Sequence, residues 1–127
     1  MKILLVEDDI MLNEMITEYI TSTGHAIKSV KTGNESLEIL DKEKFDLLIL
    51  DINLPDIDGF TILEKMHEQK RMIPTIYISA LIDIEDISRA FDLGCFDYLK
   101  KPFHLKELTL RINKILKTRI VPQRHKR

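Results

Sequence analysis

Two kinds of apolar pattern alternate along the chain. One is a short, unbroken aliphatic run, seen at Ile3-Leu4-Leu5-Val6 and in Phe45-Asp46-Leu47-Leu48-Ile49-Leu50-Asp51, with a third at Pro74-Thr75-Ile76-Tyr77-Ile78. Such runs are too short for helices and read as strands buried on both faces. The other pattern spaces apolar residues as a helix does. It places Ile10, Met11, Leu12, Met15, Ile16, Tyr19 and Ile20 within Ile10–Thr23, and Leu37, Ile39 and Leu40 within Ser36–Lys44. Phe60, Ile62, Leu63 and Met66 do the same within Gly59–Lys70, and Leu108, Ile112, Ile115 and Leu116 within Leu105–Thr118. Ile82–Leu93 reads as a helix with Asp83, Glu85 and Asp86 in its first turn, where the macrodipole favours negative charge. His25–Val30 alternates like a strand, and Phe96–Leu99 forms a short one. Gly24 and Gly94 are helix stops, and Thr32-Gly33-Asn34 marks a turn.

The order is strand then helix, five times over. That alternation predicts an α/β fold, a doubly wound parallel sheet with helices on both faces. Right-handed crossovers send every strand's C-terminal end to one edge, the edge where doubly wound sheets carry ligands. The residues just past four of the five strands are Glu7-Asp8-Asp9, Asp51, Ser79 and Lys101. After Asp51, the segment Ile52–Gly59 breaks regular structure, since Pro55 removes a donor and Gly59 admits unusual backbone angles.

Each group alone has an ordinary explanation. The three acids could cap a helix, Ser79 could be a turn residue, and Lys101 beside Lys100 could be a solvated charge. Their joint placement on one rim makes a site instead. Crowded carboxylates repel unless a cation is supplied, and an all-oxygen cluster suits Mg²⁺, with Mn²⁺ as a second candidate. His25, His67, His104 and His125 are dispersed, with none at ligand spacing to another. Asp51 could then act as a nucleophile, as aspartates do in forming aspartyl phosphates. Lys101 and the Ser79 hydroxyl supply the cation and donor that phosphoryl oxygens require. The residues thus read as metal-assisted phosphoryl transfer to a carboxylate.

Composition narrows the setting. A length of 127 residues fits one domain, and 44% hydrophobic with 31% charged residues is ordinary for a globular protein. The formal net charge of −2 argues against a general nucleic-acid surface. Cys95 is the only cysteine, so no internal disulfide forms and a reducing compartment is expected. No signal peptide and no stretch near the roughly 20 apolar residues of a membrane span is visible, which gives an expectation of a cytoplasmic chain without membrane contact.

The segments Ile3-Leu4-Leu5-Val6-Glu7-Asp8, Asp51-Ile52-Asn53-Leu54-Pro55 through Gly59, Ser79-Ala80 and Asp97-Tyr98-Leu99-Lys100-Lys101-Pro102-Phe103 resemble the receiver domain of two-component response regulators. The likeness covers Lys2 to about Thr118, placing a receiver domain at 1–118 and a basic linker or tail at 119–127. It implies a flavodoxin-like fold with strand order 2-1-3-4-5 and a phosphoryl group accepted on Asp51 from a sensor histidine kinase. It also implies Asp8 as a direct Mg²⁺ ligand, Glu7 acting mostly through water, Asn53 lending its backbone carbonyl, and a cis Lys101-Pro102 bond. Ser79 and Tyr98 would form the switch pair, the hydroxyl moving toward the phosphoryl group as the ring turns inward.

Lys101-Pro102-Phe103, followed by Leu105, Glu107-Leu108, Arg111-Ile112 and Leu116, is similar to the winged-helix transcription-factor subfamily, whose members dimerise when phosphorylated. Asp97 and Arg111 match an intersubunit ion pair, Glu107 matches another acidic partner, and Phe91 sits where an apolar contact is expected. Ile87 replaces the basic residue expected opposite Glu107. No winged helix lies in these residues, so any DNA contact would come from a domain outside this chain. Three other functions compete. A dehalogenase-type phosphohydrolase would want an acid where Asn53 stands. A flavodoxin-like cofactor binder would suffer repulsion from Glu7-Asp8-Asp9. A stand-alone regulator would act by protein docking.

Overall fold

A computed structural model describes residues 1–80, 84–93 and 95–120. The elements run β1 (Lys2–Val6), α1 (Ile10–Ser22), β2 (Ala26–Val30), α2 (Gly33–Lys42), β3 (Leu47–Asp51), α3 (Gly59–Glu68), β4 (Thr75–Ser79), α4 (Ile84–Asp92), β5 (Cys95–Lys100) and α5 (Leu105–Ile120). The strands pair in parallel in the order β2-β1-β3-β4-β5, the doubly wound arrangement expected from the alternation.

Strand periodicity divides the core in two. Leu4, Val6, Leu48 and Leu50 point to one face of the sheet, where they meet Leu40 of α2, Phe60, Ile62, Leu63 and Met66 of α3, and Ala90 of α4. Ile3, Leu5, Leu47, Ile49, Ile76 and Ile78 point the other way, onto Ile16 and Ile20 of α1 and Leu108, Ile112 and Ile115 of α5. Each fully buried aliphatic side chain contributes about 1.5–3 kcal/mol relative to exposure, so both layers are strongly held. The continuous apolar runs follow from this double coverage, since β3 and β4 are buried at every position. By contrast, β2 lies at the sheet edge, and its alternation of exposed and half-buried residues reflects that place.

Helix starts are fixed by side chains. Asp9, Thr32 and Asp58 are N-caps of α1, α2 and α3, accepting from the amides of Leu12, Glu35 and Thr61. Because Thr32 caps, α2 begins at Gly33, inside the segment expected as a turn. Helix α5 runs to Ile120, two residues into the expected tail. The first residues of the helix expected from Ile82, including Asp83, the helix stop at Gly94, and residues 121–127 of the expected tail lie outside the described residues.

Gly59 begins α3 directly against the end of β3. A Cβ placed there would lie 2.8 Å from the Asp51 carbonyl oxygen and 3.0 Å from the Ile52 Cα, both backbone atoms that cannot step aside. Gly59→Ala is expected to lose about 1–3 kcal/mol of stability. Urea denaturation checks this, and an unchanged midpoint would refute the close approach.

Candidate functional site

The switch in strand order falls at β1, which has β2 on one side and β3 on the other. Its C-terminal edge is where a doubly wound sheet leaves a crevice. Glu7 and Asp8 follow β1, Asp51 ends β3, Ser79 ends β4, and Lys101 follows β5. The rim expected from the sequence therefore assembles.

Lys101 is the hub. Its Nζ lies 2.9 Å from Glu7 Oε1 and 3.1 Å from Asp51 Oδ2. Its backbone amide donates to the Ser79 carbonyl at 2.8 Å, and its bond to Pro102 is cis, as the resemblance implied. Asp51 is 2% exposed, and its Oδ1 accepts from the Asn53 amide at 3.0 Å. Glu7 is fully buried, with Oε2 accepting from the Asp9 amide at 3.0 Å. Carboxylate oxygens of Glu7, Asp8 and Asp51 lie within 4.8 Å of one another, with Asp8 on the exposed side. The Ser79 hydroxyl is buried and stands 3.5 Å from the Asn53 side-chain nitrogen.

Burial dominates the electrostatics. It pushes the Glu7 carboxyl up to about 7, with the Asp51 charge adding to the rise and Lys101 opposing it. Asp51 is raised for the same leading reason, again against the pull of Lys101. Burial works against the charged form of Lys101, but its contacts with Glu7 and Asp51 win and raise it. Two of the three clustered carboxylates pair with this one ammonium, leaving a formal surplus of two negative charges. Glu7 Oε1 sits close to Lys101 Nζ but receives no well-aligned hydrogen bond. A mostly buried all-oxygen cluster of three carboxylates, with only one ammonium within ion-pair distance among the described residues, fits a hard divalent cation such as Mg²⁺.

Among residues expected to switch or dimerise, Tyr98 is half-buried on β5 and packs against the core layer of α2, α3 and α4. Phe91 is 49% exposed on α4, with Ile87 half-buried on the same helix. Arg111 forms ion pairs within its own protomer, to Asp97 at 2.7 Å and Glu107 at 3.3 Å. Two further polar side chains near the loops of the rim escaped the sequence reading. Asn13 is a buried amide on the inner face of α1 that donates to the Glu7 carbonyl at 3.0 Å, fixing the acidic turn. Its signal was a polar residue three before Ile16 in the apolar stripe. The other is Asp56, in the loop after Asp51.

The chain matches the family described as "Response regulator receiver domain" over residues 3–113. Among curated proteins it is 36% identical over 117 residues to the transcriptional regulatory protein RprY of Bacteroides fragilis, covering 92% of this chain and 50% of that protein. It is 38% identical over 114 residues to the transcriptional regulatory protein CrdR of Helicobacter pylori, covering 89% of this chain and 54% of the other. Among solved structures, the receiver domain of the Francisella response regulator 1452 superposes with a TM-score of 0.86 at 29% identity, covering 91% of this chain and 96% of that one. The chain belongs to the response regulator receiver domain family. It spans about half the length of the curated relatives it matches.

Proposed function

We propose that this receiver domain accepts a phosphoryl group on Asp51 from a sensor histidine kinase and thereby changes the surface it offers to an output. The observation that carries the reading is the placement of Asp51, buried at the end of β3 between Lys101 and the Glu7–Asp8 pair. A carboxylate oxygen of Asp51 attacks phosphorus, the phosphorus–nitrogen bond of the donor breaks, and its electron pair leaves with the imidazole. Asp8, Asp51 and the Asn53 carbonyl would hold Mg²⁺, with Glu7 acting mostly through water. When bound, the ion supplies positive charge for the phosphoryl oxygens. Lys101 brings a second cation to the same oxygens, so the acceptor is not left among acids alone.

The new dianion biases the switch. The Ser79 hydroxyl turns toward the phosphoryl group and Tyr98 moves into the space it leaves. The buried Ser79 at the end of β4 and the half-buried Tyr98 on the neighbouring strand support this pairing. Transcription is the favoured output, because RprY and CrdR are named as transcriptional regulatory proteins and are about twice as long as the matched region. The receiver unit would span 1–118, with 119–127 a basic linker or tail, and any DNA contact would come through a separate domain. Among the described residues no helix is long and apolar enough to cross a membrane.

Incubation with acetyl phosphate and Mg²⁺, followed by borohydride reduction of the acyl phosphate and peptide mapping, tests the assignment. Homoserine at position 51 is expected, and modification at any other acid would overturn it. For the output face, phosphorylation is expected to exchange the internal Arg111–Asp97 pair for one across a dimer of α4, β5 and α5. Arg111→Glu sets a third acid beside Asp97 and Glu107, and should weaken the phosphorylated dimer by about tenfold or more. Sedimentation velocity reads this directly, and an unchanged profile would discard the face.

A further inference from the structure

The loop that joins β3 to α3 is fastened to a helix that contributes nothing to the acidic cluster. Asp56 Oδ1 accepts from the Gly33 amide and Oδ2 from the Asn34 amide, each at 2.8 Å. These are the first two amides of α2, which have no partner inside the helix and lie where the macrodipole favours an anion. Thr32 takes the next one, accepting from the Glu35 amide at 3.1 Å, so Asp56 is additional to the helix's own cap. Although burial works the other way, the amide bonds hold the Asp56 carboxyl below its ordinary range.

A second observation fixes the same junction. A Cβ on Gly33 would run into Ile57 Cγ1, and would stand 2.9 Å from its Cδ1 and 3.3 Å from Asp56 Oδ1. A methyl group on Gly33 would therefore have to displace the Ile57 side chain from the loop–helix junction. The rest of the loop is held nearer its base, where the Gly59 and Leu54 amides donate to the Ile52 carbonyl at 2.8 and 3.3 Å, the Asn53 amide donates to Asp51 Oδ1 at 3.0 Å, and the Asn53 side-chain nitrogen stands 3.5 Å from the Ser79 hydroxyl. Asn53, Pro55, Asp56 and Asp58 are all exposed, so the outer loop has little core contact beyond half-buried Leu54 and Ile57. The two Asp56 bonds, beside the Ile57 packing, tie its tip to α2.

We propose that Asp56 is a positioning residue for the divalent cation, gripping the first turn of α2 so that the loop holds Asn53 in place to lend its carbonyl. The inference rests on the metal reading given above. It makes α2 an element to which cation affinity is coupled, although no residue of α2 reaches the cluster.

Calorimetric titration of the metal-free chain with MgCl₂ tests it, with urea denaturation of each variant alongside. Asp56→Ala should raise the Mg²⁺ dissociation constant about tenfold, the scale on which outer partners tune a metal site. Gly33→Ala should do the same by expelling Ile57, while Asp56→Asn, which keeps one acceptor, should fall between. Thr32→Ala removes the cap of the same helix without touching the loop. It should lower the urea midpoint yet leave Mg²⁺ affinity within about twofold of the parent, a split that distinguishes positioning from capping. The proposal is overturned if Asp56→Ala and Gly33→Ala bind as the parent does, or if Thr32→Ala loses as much affinity as Asp56→Ala. A parent that takes up no Mg²⁺, or whose uptake survives Asp8→Asn, instead overturns the metal reading and this inference with it.

Discussion

Asp51→Asn is expected to take up no phosphoryl group. The amide keeps the shape of the side chain but lacks the anionic oxygen that attacks phosphorus, so the loss is complete rather than graded. The variant is expected still to fold, because the substitution removes one of three crowded charges and leaves both core layers untouched. Lys101 keeps Glu7 as its ion partner at 2.9 Å. Phosphate-affinity gel electrophoresis after exposure to acetyl phosphate and Mg²⁺ reads the result. A shifted band for the wild type and none for the variant is expected; a band that persists in Asp51→Asn would place the acceptor elsewhere.

The second large effect is on stability. A carboxyl raised from 4.5 to about 7 by burial binds more protons in the folded chain than in the unfolded chain between those values. Stability contributed by Glu7 is therefore fullest below about pH 4.5 and is lost as pH rises toward and through about 7. Asp51, also raised, acts in the same direction. His25 has the opposite sign, since burial lowers it and stability rises as it loses its proton. Glu43, lowered by its bonds to Lys2 and Lys28, contributes only where carboxylates ordinarily titrate or below. The difference between the wild type and Glu7→Gln isolates the site from these. Without metal, Glu7→Gln should be more stable by about 1–3 kcal/mol at pH values above 7, with the gap closing toward pH 4.5. Mg²⁺ should narrow the gap by stabilising the wild type alone. Urea midpoints across this range check the claim, and a pH-independent difference would contradict it.

Much of this was legible because buried parallel strands and amphipathic helices write different periods. Leu47–Leu50 had to be a doubly covered strand, and the strand–helix alternation then put Glu7, Asp51, Ser79 and Lys101 on one rim. What escaped depends on contacts that period and motif do not encode. Asp56 stands in a Pro-containing segment that reads as a turn, and its partners at Gly33 and Asn34 lie 23 and 22 residues away. Gly33 reads as a turn residue from sequence, whereas in the structure it is the close packing of the Ile57 side chain that a Cβ there would disturb. The resemblance matches Arg111 and Asp97 to a pair across a dimer; that the two also pair within one chain needs the geometry of β5 against α5.

The central claim is metal-dependent phosphoryl transfer to Asp51, and intact mass after incubation with acetyl phosphate tests it most directly, run with Mg²⁺ and again with a chelator. The account predicts a gain of one phosphoryl group with Mg²⁺ and none with the chelator. An equal gain in both would show that Glu7, Asp8 and Asp51 need no cation to accept the group, and would contradict it.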